Sequence, residues 1–175
     1  YMTIGFIGLG IMGKPMALNL IAKGHKLFVN DINQDAVSAL KEKGAEAGSL
    51  KELGEKCSLV FTILPNGEIV KDVLFGENVV ASSMAKGSIV VDMSSVAASD
   101  STFCAEKLEK LGIDFVDSPV SGGEPGAVNA TLAFMSGGKE EIFNKVKPYF
   151  MDMGSSAILV GDTGAGSITK LANQI

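Results

Sequence analysis

Six residues near the N-terminus, Gly8-Leu9-Gly10-Ile11-Met12-Gly13, constrain the fold of this chain more than any other feature. They follow an apolar run, Thr3-Ile4-Gly5-Phe6-Ile7, that reads as a buried strand, and they precede a helix expected over residues 14–23. Strand, glycine turn and helix in that order open a dinucleotide-binding βαβ unit. One glycine permits the tight turn, one lets the backbone approach a pyrophosphate, and one lets helix and strand pack closely. The pyrophosphate then meets the free N–H groups at the helix N-terminus. A second strand, expected over residues 26–30, ends at Asn30-Asp31, which puts a carboxylate within the ~20-residue spacing of a ribose-binding acid. The chain has 21 glycines, so the alternative is a tight strand-to-helix turn in an α/β domain with some other ligand.

Asp31 also bears on cofactor choice. A carboxylate accepts hydrogen bonds from the ribose hydroxyls of NAD and repels the 2′-phosphate of NADP, which calls for a nearby cation. Ile32, Asn33 and Gln34 follow, none of them cationic, so NAD is favoured and NADP stays open. The competing role for Asp31 is capping the next helix, a role that Asn33 fills equally well.

The expected pattern beyond Asp31 is alternating helix and strand. Helices are expected over residues 34–43, 50–55, 68–74 and 139–149, with Ser99 capping one that runs to 111. Strands are expected over residues 59–64, 88–92, 114–117, 131–136 and 157–160, and a last helix starts at Ser167. Apolar strands between helices give a parallel sheet covered on both faces. Right-handed crossovers make it a doubly wound, Rossmann-type α/β sheet, with residues 131–136 forming an antiparallel edge. Ligands of such sheets bind beyond the carboxyl ends of the strands. The loops that matter are therefore 8–13, 64–66, 93–96 and 118–124.

A length of 175 residues suits one domain with a proper core. A net charge of −5 argues against a nucleic-acid backbone or an anionic membrane as partner. Two distant cysteines, Cys57 and Cys104, argue against a disulfide framework or a zinc site. No apolar stretch reaches the ~18 residues of a membrane helix. The N-terminus lacks the cationic start and cleavage site of a signal peptide, so the cytoplasm is the expected compartment.

Two further segments carry chemistry. In Asp117-Ser118-Pro119-Val120-Ser121-Gly122-Gly123, glycines beside a serine expose backbone N–H groups to an anion such as a small carboxylate; the alternative is a sharp turn between strands. In the segment 161–174 a glycine loop opens a helix, and Lys170 shares a face with Asn173 and Gln174. A lysine held in a cleft can exchange a proton with a substrate, whereas an ordinary surface lysine does not.

The three clusters in this order closely resemble the β-hydroxyacid dehydrogenase family, and the resemblance covers the whole chain. It implies an NAD(P)-dependent enzyme that interconverts a small 3-hydroxy acid and its semialdehyde, most nearly D-glycerate and tartronate semialdehyde, with 3-hydroxyisobutyrate or 4-hydroxybutyrate as alternatives. A dinucleotide-binding fragment without catalysis is a further alternative. Carried onto this sequence, Gly8, Leu9, Gly10, Ile11, Met12 and Gly13 surround the pyrophosphate, while Asn30 and Asp31 serve the adenosine ribose. Leu64 and Pro65 line the cofactor, and Ser95 meets its nicotinamide side. Ser121, Gly122 and Gly123 grip the substrate carboxylate. Lys170 is the implied acid/base and Asn173 a substrate-orienting amide. Gln174 stands where some relatives have a second asparagine. The resemblance further implies residues 1–163 as the NAD-binding domain and 164–175 as the start of an interdomain helix. The resemblance also leads to the expectation that the family's C-terminal helical domain lies outside this sequence, and the full-length protein is expected to be a homo-oligomer.

Overall fold

The computed structural model describes residues 2–77 and 80–173, with Leu171 and Asn173 as backbone only. Nine strands and eight α-helices follow one another among the described residues as β1 (Ile4–Ile7), α1 (Gly13–Ala22), β2 (Leu27–Asn30), α2 (Gln34–Glu42), β3 (Glu46–Ala47), α3 (Leu50–Lys56), β4 (Leu59–Thr62), α4 (Gly67–Phe75), β5 (Ile89–Asp92), α5 (Ala98–Lys110), β6 (Asp114–Asp117), β7 (Val120–Ser121), α6 (Gly123–Asn129), β8 (Leu132–Gly137), α7 (Glu140–Met153), β9 (Gly154–Gly161) and α8 (Ala165–Asn173), with a short 3-10 turn at Ala81–Ser83 before β5. One sheet holds all the strands in the order β3-β2-β1-β4-β5-β6-β8-β7, with β9 added on β8. Strands β3 to β6 along that order pair in parallel. The sheet is thus a Rossmann-like, mostly parallel sheet with an antiparallel edge region.

Period-two alternation assigns the central strands to two layers. Ile4 and Phe6, Leu59 and Phe61, and Ile89 and Val91 pack with Met16, Leu20, Leu40 and Phe150 of α1, α2 and α7. Ile7, Val60 and Val90 pack on the opposite face with Leu53, Leu74, Cys104 and Leu108 of α3, α4 and α5. Every strand residue from β1, β4 and β5 is buried, which explains why these strands read as continuous apolar runs. No helix among the described residues is long and apolar enough to cross a membrane.

The antiparallel region holds the departures from expectation. β8 runs antiparallel to both β6 and β7, and Asp117↔Gly137, Val120↔Phe134 and Ser121↔Ala133 keep one register. β6 and β7 are therefore a single strand path interrupted at Ser118-Pro119, whose proline cannot donate to a ladder. β9 pairs parallel to β8 on its other side, so β8 lies one strand in from the margin. Helix α6 was hidden in a Gly/Pro-rich stretch that reads as loop; its Pro125 sits in the first turn, where no N–H is needed. Ser99 is not a cap: α5 begins at Ala98 after Ala97, and no side chain caps it. Asp100, tied to Lys71 of α4 at 2.8 Å, instead anchors the first turn of α5, so a tertiary contact overrides the local capping preference.

Candidate functional site

The glycine loop has three distinct geometries. Gly8 has φ +104°, and a Cβ there would collide with the Ile63 carbonyl of the neighbouring strand end. Gly13 opens α1, and a Cβ there would collide with the Gly8 carbonyl. Gly10 has open space where its Cβ would be. The first glycine thus serves the turn, the third serves helix-on-strand packing, and the second leaves a bare backbone facing a cleft. That cleft has a volume of about 520 Å³ and is lined by Gly8, Gly10, Ile11, Met12, Gly13, Asn30 and Asp31 on one side and by Leu64, Pro65 and Ile69 on the other.

Helix α1 starts at this cleft without a side-chain cap and without an acid in its first turn. The three helices after it differ. Asn33 caps α2, Ser49 caps α3 through a reciprocal box with Glu52, and Asn66 caps α4. The N-terminus of α1 is therefore open to an anion. A bare glycine backbone, an uncapped helix start and an acid on the next strand fit a dinucleotide.

Asp31 is half-buried and holds the loop in shape. Its Oδ2 accepts the N–H of Leu9 at 2.6 Å, and its Oδ1 accepts the N–H of Asn33 at 2.7 Å. The capping role falls to Asn33, whose Oδ1 accepts from Asp35 and Ala36. Leu9 turns its side chain into the core, 3% exposed, and presents only backbone. The side chain of Asn30 donates to the Gly48 carbonyl at 2.8 Å.

A polar row crosses the carboxyl ends of the central strands. Thr62, Asp92 and Asp117 are register neighbours on β4, β5 and β6, and all three are buried. Asp92 Oδ1 accepts the Thr62 hydroxyl at 2.9 Å and the Ser94 N–H at 3.1 Å. The Ser94 hydroxyl in turn accepts the Leu64 N–H at 2.8 Å, joining the loops after β4 and β5. Burial pushes the Asp92 carboxyl up to about 6, against the pull of the Ser94 and Thr62 hydrogen bonds. Ser95, the next residue, is exposed in the loop after β5.

Lys170, Ser121, Gly122 and Gly123 come together where β7 leads into α6. Lys170 of α8 donates through Nζ to the Val120 carbonyl at 2.8 Å, and its Nζ lies 3.4 Å from Ser121 Oγ. Lys170 and Ser121 are each partly exposed, and Gly122 and Gly123 are exposed with φ of +134° and +59°. Helix α6, which follows them, is fastened to α1 by Asn19 Nδ2, which donates to the Ala127 carbonyl at 2.7 Å. A groove of about 590 Å³ runs from Gly10, Ile11 and Lys14 to Glu124 and Val128, linking the glycine loop to this helix. The side chain of Asn173 and all of Gln174 lie outside the described residues.

Sequence reasoning gave no role to Asp92 or Asp117, the two buried acids beneath these loops. Asp117, 1% exposed, accepts the Gly164 N–H at 2.8 Å and the Ser167 N–H at 3.1 Å, at the start of α8. Burial raises its carboxyl above the ordinary range, while the bonds from Gly164 and Ser167 hold it down. The signal available in sequence was an acid closing each of two adjacent apolar strands. Both thiols are buried, and burial pushes Cys57 up to about 11 and Cys104 up to about 12, so neither supplies a thiolate.

Comparison with known proteins agrees with this geometry. Residues 3–161 match the family model for the NAD binding domain of 6-phosphogluconate dehydrogenase. The 2-hydroxy-3-oxopropionate reductase of Escherichia coli (strain K12) is 42% identical over 174 residues, 99% of this chain and 60% of the reductase. The probable mitochondrial 3-hydroxyisobutyrate dehydrogenase of Dictyostelium discoideum is 40% identical over 174 residues, covering 99% of this chain and 54% of that protein. The Mycobacterium tuberculosis 3-hydroxyisobutyrate dehydrogenase, solved with L-serine, superposes with a TM-score of 0.93 at 34% identity over 98% of this chain and 58% of its own. The chain therefore spans a little over half the length of the relatives it matches. A glycine loop and a cleft-lining acid that fit a dinucleotide, together with these matches, lead to one assignment: the chain carries an NAD-binding domain and belongs to the β-hydroxyacid dehydrogenase family.

Proposed function

We propose that this chain supplies the nucleotide-binding half and the proton-transferring lysine of an NAD-dependent oxidoreductase that interconverts a small 3-hydroxy acid and its semialdehyde. Tartronate semialdehyde and D-glycerate are the first candidates. The observation that carries this reading is the Lys170 amine, 2.8 Å from the Val120 carbonyl and 3.4 Å from Ser121 Oγ, beside two exposed glycines.

The backbone of Gly8, Gly10 and Gly13 holds the pyrophosphate against the open start of α1, and Asp31 takes the adenosine ribose. Leu64, Pro65 and Ser95 bound the nicotinamide end. When bound, the cofactor supplies or accepts the hydride. Ser121 and the N–H groups of Gly122 and Gly123 orient the substrate carboxylate. In the reductive direction Lys170 gives a proton to the carbonyl oxygen as it gains charge, and its ammonium stabilises that charge. In the oxidative direction it takes the hydroxyl proton. Asn173, on the same helix, and Gln174, which follows it in the sequence, orient the substrate. Residues 1–163 form the cofactor domain, and 164–175 begin the connection to the remaining length of the relatives.

The test is Lys170→Ala in the chain extended to the relatives' full length. Turnover is expected to fall roughly 10²- to 10⁴-fold with NAD affinity retained. Turnover within about twofold of the parent would overturn the reading. Assays with tartronate, methylmalonate and succinate semialdehydes, each with NADH and NADPH, separate the candidate substrates. NADH is expected to be preferred; a stronger response to NADPH would remove the role given to Asp31.

A further inference from the structure

Helix α8 is attached at two points to a single five-residue stretch, 117–121. The stretch receives the helix start through Asp117 and the Lys170 amine through Val120 and Ser121. Each oxygen of Asp117 has its own donor: Gly164 N–H on Oδ1 and Ser167 N–H on Oδ2. Glycine closes around this carboxylate from both sides. A Cβ on Gly137 would lie 2.7 Å from Asp117 Oδ1, and one on Gly166 would lie 2.9 Å from Oδ2 and 2.7 Å from the Asp117 carbonyl. No side chain fits between the acid and the helix start. From the other layer, the Ser167 hydroxyl shares a hydrogen bond with Ser101 of α5 at 3.2 Å.

Lys170 lies one helical turn beyond Ser167 and on the same face. A slip of α8 by one residue would translate that face by about 1.5 Å and rotate it by about 100°. The amine would then leave the Val120 carbonyl and Ser121. We infer that Asp117 is the positioning residue for Lys170: its carboxylate fixes the axial register and rotation of α8, and through them the place of the amine beside Ser121. Asp117, 1% exposed behind Gly137 and Gly166, acts through Lys170. It sets where the proton donor stands, at the cost of burying a carboxylate that two backbone N–H groups satisfy. The effect on turnover rests on the proposed role of Lys170, but the place of the amine does not.

The experiment therefore reads the amine directly. The folded chain is treated with an N-hydroxysuccinimide acetate, and acetylation rates of individual lysines are measured by peptide mass spectrometry, with the exposed Lys147 as internal reference. Asp117→Asn puts an NH2 group, which cannot accept, in place of one oxygen, and so breaks one anchoring bond and weakens the other. Ser167→Pro removes one donor N–H and sets its ring Cδ against Asp117 Oδ2, so it breaks the same anchor from the helix side. Ser167→Ala removes only the hydroxyl. Asp117→Asn and Ser167→Pro are expected to speed Lys170 acetylation about tenfold, the size seen when supporting contacts of a site residue are lost, with Lys147 and NAD affinity unchanged. Ser167→Ala is expected to match the parent. A Lys170 rate within about twofold of the parent in Ser167→Pro, or an equal effect in Ser167→Ala, would overturn the inference, and Ser167→Pro decides the matter if Asp117→Asn does not fold. Loss of turnover in Lys170→Ala tests the functional reading separately.

Discussion

Asp31 and Asp117 each close a parallel strand, and each accepts two backbone N–H groups, yet they do different work. Asp31 is half-buried, and its donors, Leu9 and Asn33, lie 22 and 2 residues away. Asp117 is 1% exposed, and its donors, Gly164 and Ser167, lie 47 and 50 residues away. The first shapes a loop and keeps lone pairs at the rim of a cleft. The second is sealed behind Gly137 and Gly166 and serves only the protein. One device, a carboxylate at a strand's carboxyl end, thus faces a cleft when open and becomes an internal fastener when enclosed.

The largest expected effect falls on the glycine loop beside Asp31. Gly13→Ala drives a Cβ into the Gly8 carbonyl, so a urea melt is expected to show a loss of more than about 3 kcal/mol, with NAD binding abolished. Gly10→Ala meets open space in the free protein; its melt is expected to stay within about 1 kcal/mol of the parent while NAD affinity drops. Equal melts for the two variants would show that the loop is not divided into packing and ligand positions.

The next effect tests an enclosed acid. The Asp92 carboxyl, at about 6 in the folded chain against an ordinary 3.8, binds its proton more tightly folded than unfolded. Its contribution to stability is therefore full below about pH 4, declines as pH rises to about 6, and is level above that. Asp92→Asn should remove that decline. Thermal melts from pH 4 to 8 are expected to show the variant gaining on the parent by roughly 3 kcal/mol up to pH 6, then running parallel. A constant gap across the range would place Asp92 among ordinary open acids.

Asp31→Ala leaves the Leu9 N–H without its acceptor and removes the proposed ribose contact. Calorimetric titration is expected to show NAD affinity lower by about 1–3 kcal/mol, with NADP affinity lowered less. The smallest effect is Asn33→Ala, which uncaps α2 and should cost about 1 kcal/mol in a melt with NAD affinity unchanged.

The nucleotide half was legible because its determinants are local. β1, the glycine loop and α1 lie within the first 22 residues, and the buried strands read as apolar runs. The lysine half was legible only in part. The spacing of Lys170 placed it on a helix, and the structure brings it to Ser121, but α6 was concealed by glycine and proline that usually mark loops. Ser99 lost the start of α5 to an ion pair across helices. The role of Asp117 depends on partners some fifty residues onward, and no local pattern in the chain announces a carboxylate enclosed by two glycines.

Helix α1 has one further consequence. A helix left unfinished at its first turn, while α2 to α4 carry side chains that complete theirs, makes the guest nucleotide part of the host's own architecture. Occupancy then adds to the free energy of the fold by mass action, by about 2.7 kcal/mol at a hundredfold excess over Kd. The melting temperature of the chain becomes a gauge of dinucleotide concentration.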